Sequence, residues 1–219
     1  MWITSSSIGR KVIMSVSGLF LIMFLLVHLC ANMGLLFGAD AYNGICRFMD
    51  ESPFITIMVP VLALGVVVHI CFALWLTIQN RKARGNDRYD SNGKTEVTWA
   101  SQNMLVLGII IVGFLVMHLF HFWAKMQLQH FIGGAPNSNA YGLAEELFSC
   151  PVYSLLYIIW MVAIWFHLTH GFWSAFHTVG LSNNVWLPRL KCIAYIYATI
   201  VAMCFIAIPL FFLFGLNKM

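Results

Sequence analysis

The chain has 219 residues, of which 61% are hydrophobic and only 9% are charged, and its formal net charge is +4 at pH 7. A soluble globular domain carries about 25% charged residues, so this chain has too few charges to cover a water-facing surface. The composition therefore excludes a soluble enzyme. It predicts a single membrane domain over residues 1–219, with no room for a separate soluble catalytic domain.

Five apolar runs are long enough to cross a bilayer, since a hydrocarbon core of about 30 Å takes roughly 20 helical residues. They cover approximately residues 12–37, 54–79, 99–124, 151–180 and 192–216. The first run exceeds the apolar region of a signal peptide and no small-residue cleavage site ends it, so we interpret it as a retained span. The sequence thus predicts an all-α integral membrane protein with five transmembrane helices.

The lysines and arginines are unevenly distributed between the two sides of the predicted membrane domain. Nine of the twelve lie at the N-terminus, between the second and third runs, or just before the fifth run. The opposite side carries Arg47, Lys125 and Lys218. This bias predicts a cytoplasmic N-terminus and a C-terminus outside the cell. The basic residues are split among short loops without interleaved aromatic residues, so they do not indicate nucleic-acid binding.

Six cysteines are scattered along the chain, at Cys30, Cys46, Cys71, Cys150, Cys192 and Cys204. No two have the CxxC spacing of a zinc site or a thioredoxin-like motif, and the CxxCH motif of covalently attached haem is absent. We interpret the cysteines as small apolar packing residues.

Each of the first four spans holds at least one histidine in its apolar interior, whereas the fifth holds none. The histidines are His28, His69, His118, His121, His167 and His170. An ionisable side chain inside a membrane helix needs a partner and is therefore a functional candidate. A single imidazole could simply bond to a carbonyl of a neighbouring helix, but four consecutive helices that each offer one favour a shared role.

The depth of these histidines follows from the alternating direction of the helices and a rise of about 1.5 Å per residue. The outer layer holds His28 with His118 or His121, since the start of the third helix is uncertain by a turn. The inner layer, roughly 10 Å away, holds His69 with His170. Two imidazoles that face each other in a helix bundle suit a haem iron, so two layers predict two haems. A structural zinc ion would need its ligands to converge at one point.

Several segments resemble the cytochrome b membrane subunits of succinate dehydrogenase and fumarate reductase, in their single-chain, five-helix, two-haem form. They are SSSIGRK, SGLFL and LVHL near the first span, VVHICFALW in the second, VMHLF in the third and HGFWSAFHTVG in the fourth. No one motif is specific, but their order and spacing cover all five spans. The resemblance implies a four-helix di-haem bundle plus a fifth C-terminal helix, in the bacterial cytoplasmic membrane.

The resemblance also implies the axial ligands of two haem b groups. The outer haem iron would be bound by His28 and His118, and the inner haem iron by His69 and His170. The neighbours His121 and His167 would then be bystanders, although their roles, like that of His130, stay open.

His177 lies two turns below His170 on the same helix face and is a candidate contact of the inner haem propionates. Ser15 and Ser17 are further candidates for the same contact. Asp50 matches an outer carboxylate that takes protons from menaquinol in some family members, and Glu51 is next to it. A carboxylate close to the outer haem could accept the protons that quinol oxidation releases.

The implied function is electron transfer between a membrane quinone, menaquinone in this form of the family, and an iron–sulfur subunit on the cytoplasmic face. Dicarboxylate chemistry would lie on separate flavoprotein and iron–sulfur chains, because this chain has neither a dinucleotide fingerprint nor a cysteine cluster. The basic loop 80–98 is a candidate dock for them. Leu168 stands where certain fumarate reductases have a proton-carrying glutamate, so that proton route is not expected.

Three alternatives remain at the level of the sequence. The nearest is a di-haem cytochrome b subunit of a hydrogenase or formate dehydrogenase. A transporter or haem exporter would use the histidines transiently, and a purely structural membrane protein would bind no haem.

Overall fold

A computed structural model of the protein describes residues 6–84, 98–135 and 137–218, and its regular structure over these ranges is helical, without strands. The α-helices are α1 Ser7–Asn32, α2 Ala39–Asp50, α3 Pro53–Arg84, α4 Trp99–Gln102, α5 Met104–His118, α6 Gln127–Ile132, α7 Ala140–Phe148, α8 Pro151–Thr178 and α9 Trp186–Leu213. A 3₁₀-helix over Met33–Phe37 extends α1, a π-helix over Leu119–Trp123 extends α5, and a 3₁₀-helix over Leu216–Lys218 follows α9.

The five predicted membrane spans are confirmed, because five helical segments are long and apolar enough to cross a bilayer. They are Ser7–Phe37, Pro53–Ala83, Met104–Trp123, Pro151–Thr178 and Trp186–Leu213. The third begins later than predicted, since Thr98 caps the separate short helix α4 and the backbone leaves helical geometry at Asn103. The fifth begins six residues earlier than predicted, because the turn with Arg189 and Lys191 is helical although it is basic.

Two helices that the sequence did not predict, α2 and α7, lie outside the spans and pack against each other. Asn43 on α2 accepts a hydrogen bond from the backbone N–H of Tyr141 (3.0 Å) and donates one to the side chain of Asn139 (3.2 Å). Asp40 in the first turn and Arg47 in the last complement the dipole of α2. The sequence indicated loops in both segments because they contain or adjoin glycine, aspartate and asparagine.

The spans form a bundle in which α8 is central. It packs most extensively on α9 and also contacts α1 and α5, while α3 joins the bundle mainly through α1. The pairs α1–α5 and α3–α8 are not among the closely packed helix pairs. The most apolar window of α3 has no residue buried by protein. We call the pairs α1–α5 and α3–α8 the two weakly joined diagonals of the bundle.

A row of alanines explains the close packing of α9 on α8. Ala194 and Ala198 are 0% exposed and Ala202 is 5% exposed, and their spacing of four residues puts them on one helix face. Small side chains at this spacing let two membrane helices approach closely.

We expect Ala198→Leu to destabilise the protein by about 1–3 kcal/mol, because the added methylenes have no free space. Thermal unfolding of the purified protein in detergent measures the effect. Ala63→Leu is the matched control, since Ala63 is exposed on α3. Equal melting temperatures for the two variants would contradict this account of the α8–α9 interface.

Basic side chains tie helix ends together at one end of the bundle. The Arg10 guanidinium of α1 lies 5.2 Å from the ring centre of Trp75 near the end of α3. The Lys191 ammonium of α9 lies 5.2 Å from the ring centre of Trp173 near the end of α8. Of the basic loop 80–98, Arg88 and Lys94 lie outside the described residues.

Candidate functional site

Two of the intramembrane histidines meet near the ends of α1 and α5. The ring centroids of His28 and His118 are 5.8 Å apart and their planes are perpendicular. Phe24 stacks on His28 at 5.3 Å, and Phe205 of α9 approaches it at 5.8 Å. The structure thus brings together the two histidines that the resemblance assigned to the outer layer.

A small polar network supports His28 from the side of α2. The Asn32 amide donates to the His28 carbonyl (2.8 Å) and lies 3.4 Å from both nitrogens of the His28 ring. Tyr42 of α2 in turn donates its hydroxyl to the Asn32 side-chain oxygen (3.1 Å). The otherwise unpredicted helix α2 therefore helps to fix the first-span histidine.

Aromatic side chains surround His118 on its other faces. Its ring centroid lies 5.3 Å from Phe122, 5.5 Å from Trp160 and 6.2 Å from Tyr157. Its Nδ1 is buried and has no hydrogen-bond partner in the described part of the chain. An unpaired buried nitrogen costs free energy, so this environment favours a further ligand.

The π-helix after α5 gives His121 a position that α-helical periodicity could not predict. Its Nδ1 lies 3.1 Å from the hydroxyl of Tyr157, a residue of α8 that also contacts His118. Wide π-turns occur frequently at functional sites. His121 also borders a cavity of about 220 Å³ whose other polar lining includes Lys125, Glu146 and Tyr153.

The two candidate outer carboxylates lie at the same end of the molecule. Asp50, the last residue of α2, accepts a hydrogen bond from the Gln127 side chain at the start of α6. Both Asp50 and Glu51 are exposed. Gln127 is two residues from Lys125, so Asp50 is connected to the rim of the cavity through this short segment.

The inner histidines show a different pairing from the one that the sequence favoured. His69 of α3 has its ring centroid 6.5 Å from that of His167, with an interplanar angle of 73°. His170 instead packs edge-on against Trp173 at 4.9 Å. The Nδ1 atoms of His167 and His170 are both buried without a hydrogen-bond partner in the described residues. The structure therefore brings His69 to His167, one turn from the expected partner.

Residues of α1 hold the His69 ring. The Ser17 hydroxyl oxygen lies 3.3 Å from His69 Nδ1 and donates a hydrogen bond to the Met14 carbonyl (3.0 Å). A Cβ added to Gly18 would lie 3.3 Å from Cε1 of the same ring. Ser17 and Gly18 of α1 thus contact His69 of α3 directly.

The other candidate propionate contacts lie nearby. Ser15 is buried on α1, with 6% of its surface exposed. His177 is exposed at the end of α8, where its ring lies 6.5 Å from Trp173. Trp173 therefore stands between His170 and His177, and Lys191 lies against the same ring.

Cysteines supply no ligand cluster in the described part of the chain. All six are free. Burial raises the pKa of the Cys46 thiol to about 11, and the Asp50 charge adds to this while the hydrogen bond with Tyr42 opposes it. The thiol is therefore neutral at pH 7, whereas metal binding needs the thiolate.

The donor set fits haem iron in two places. Each place offers two imidazoles from different helices at ring separations of 5.8 and 6.5 Å, lined by aromatic and apolar side chains. In the described residues no group of three or more histidine, cysteine or acidic side chains could hold a metal ion. Axial pairs of imidazoles are the arrangement that a porphyrin-bound iron needs, since the porphyrin supplies the other ligands.

The chain is similar to the succinate dehydrogenase cytochrome b558 subunit of Bacillus subtilis (strain 168). The two are 25% identical over 195 residues, which are 87% of this chain and 88% of that protein. No family model matches the chain, and no solved structure matches it. The resemblance to a cytochrome b membrane subunit of succinate dehydrogenase is therefore confirmed over 87% of the chain.

Proposed function

We propose that this chain is the di-haem membrane anchor of a succinate:quinone or quinol:fumarate oxidoreductase, which carries electrons between a membrane quinone and an iron–sulfur subunit. The observation that carries the proposal is the presence of two separate histidine pairs on four membrane helices. The similarity to the succinate dehydrogenase cytochrome b558 subunit supports it. Haem iron between two imidazoles would supply one-electron transfer.

The ligands of the outer haem would be His28 and His118, as the resemblance implied. For the inner haem we propose His69 with His167, because these two rings lie together whereas His170 packs on Trp173. His170 and His177 would then lie beside the inner haem towards the basic end. Two imidazoles that share one iron must lie close together, and the ring separation of His69 and His167 supports this pairing over the one that the His-Gly motif implied.

We place the quinone headgroup in the outer cavity beside His121. Its volume of about 220 Å³ is below that of a typical pocket for a whole ligand, roughly 300–1,000 Å³. It suits a ring whose isoprenoid tail stays in lipid. His121 can exchange a proton with a quinone oxygen, and Tyr157 orients the imidazole through Nδ1. Asp50 is exposed and accepts a hydrogen bond from Gln127, two residues from Lys125 of the cavity lining. It would pass protons to water, and Glu51 follows it in the chain.

The catalytic subunits would bind at the basic end. Arg10, Arg189 and Lys191 lie at helix ends that meet there, and the positive-inside rule puts these ends in the cytoplasm. A flavoprotein and an iron–sulfur subunit would supply the dicarboxylate chemistry. The whole chain would act as one membrane domain in the bacterial cytoplasmic membrane.

Purification followed by a pyridine haemochrome assay tests the proposed function. We expect two b-type haems per chain and co-purification with a flavoprotein and an iron–sulfur protein. Haem far below this ratio would indicate a transporter or a structural protein. Two haems together with a large metal-containing enzyme would indicate a hydrogenase or formate dehydrogenase subunit.

A further inference from the structure

We infer that Ser17 is a positioning residue that fixes the tautomer and the ring plane of His69 and thereby tunes the iron of the inner haem. The inference rests on the proposed function, because it needs His69 to be an axial ligand. It gives the Ser17 hydroxyl a different role from the propionate contact for which the sequence made it a candidate.

The tautomer of His69 follows from the hydrogen bonds among the Met14 carbonyl, the Ser17 hydroxyl and the His69 ring. Ser17 has one hydroxyl proton, and it is donated to the Met14 carbonyl at 3.0 Å. The same oxygen lies 3.3 Å from His69 Nδ1, and the Met14 carbonyl also hydrogen-bonds the His69 ring. A contact between that oxygen and Nδ1 is favourable only if Nδ1 carries the proton. A neutral imidazole has one N–H, so Nε2 is left as the free lone pair that binds metal.

The ring plane is restrained by the residue next to Ser17. Gly18 leaves just enough room for the ring, since a Cβ there would lie 3.3 Å from His69 Cε1. Ser17 is 8% exposed, so water cannot easily replace its hydroxyl as the acceptor. One turn of α1 thus sets both the protonation and the orientation of a side chain on α3.

An acceptor on Nδ1–H makes the imidazole a stronger electron donor to a metal bound at Nε2. Electron donation stabilises the oxidised iron relative to the reduced iron. Loss of the Ser17 hydroxyl should therefore raise the midpoint potential of the inner haem and leave the outer haem unchanged. Because the imidazole plane is also released, the ferric EPR signal of the inner haem should shift.

The experiment compares Ser17→Ala, Ser17→Thr and Ser154→Ala in the purified holoprotein, by spectroelectrochemical titration and low-temperature EPR. We expect Ser17→Ala to raise the inner-haem potential and to shift its largest g value. Ser17→Thr keeps a hydroxyl and should stay close to the wild-type potential. Ser154→Ala removes a buried hydroxyl of α8 that donates to the Phe148 carbonyl at the end of α7, and it is the matched control.

Each outcome decides the inference. An unchanged potential in Ser17→Ala, with both haems bound, would overturn it and leave the proposed function intact. A changed potential with an unchanged g value would also overturn it, in favour of a propionate contact. Retention of both haems after replacement of His69 would instead refute the ligand assignment itself. If Ser17→Ala binds less haem, the EPR of the fraction that retains the inner haem gives the same readout.

Discussion

Replacement of His167 by alanine is expected to reduce the haem content from two per chain to about one, with loss of the inner haem. The His167 ring is the one that lies 6.5 Å from His69, so its removal leaves the inner iron with one protein ligand. The pyridine haemochrome assay gives the stoichiometry. The redox titration shows which of the two haems has been lost.

His170→Ala is the matched control, because it removes an imidazole from the same helix one turn away. We expect it to retain both haems, since the His170 ring packs on Trp173 rather than on His69. A moderate shift of the inner-haem potential is compatible with its position. Loss of the inner haem in His170→Ala, with two haems retained in His167→Ala, would restore the assignment based on the His-Gly motif.

Replacement of His121 by phenylalanine is expected to lower quinone-linked turnover of the assembled complex at least tenfold, while both haems remain bound. Proton transfer by a positioned side chain contributes about 10²–10⁴-fold in enzymes, and part of this can be taken over by water. Phenylalanine keeps the ring volume but cannot exchange a proton or bond to Tyr157. Turnover is measured with a soluble quinone analogue, and reduction of the haems by succinate is the internal control.

Asp50→Asn tests whether Asp50 or His121 exchanges protons with the quinone. We expect a smaller loss of turnover than in His121→Phe, because Asp50 is exposed and water can replace its carboxylate. A large loss in Asp50→Asn with normal turnover in His121→Phe would move the proton exchange to the carboxylate that the resemblance implied. Normal turnover in both variants would show that the quinone does not bind in the cavity beside His121.

The sequence predicted the five spans and the meeting of His28 with His118 or His121 because both depend on simple regularities, and the resemblance selected His118. Apolar length sets the spans, and the depth of a side chain follows from the helical rise. It did not predict the helices α2 and α7, whose glycines, asparagines and acids are individually typical of loops. These helices are stabilised by side-chain bonds between distant segments, such as Asn43 with Tyr141, which local composition does not reveal.

The partner of His69 on α8 stays a prediction, and both this partner and the position of His121 depend on details that apolar length and depth do not fix. His167 and His170 are three residues apart, so depth separates them by only about 4.5 Å, and the rotation of α8 decides which of them faces α3. The buried positions Tyr157, Trp160, Ile164 and Leu168 mark the packed face of α8, and their helical spacing was the signal available in the sequence. His121 lies in the π-helix Leu119–Trp123, which changes the direction of its side chain relative to an α-helix. Amino-acid composition does not indicate where an α-helix changes into a π-helix.

The two weakly joined diagonals of the bundle have a consequence for its assembly. Helices in lipid gain no hydrophobic free energy from each other, so pairs that do not pack closely are held only by specific bonds. His28 with His118 spans the diagonal α1–α5, and His69 with His167 spans the diagonal α3–α8. Each prosthetic group would therefore act as a brace across the bundle as well as an electron carrier. Binding of the two proposed haems would then be coupled to folding, and without haem we expect α3 to pack more loosely on the bundle.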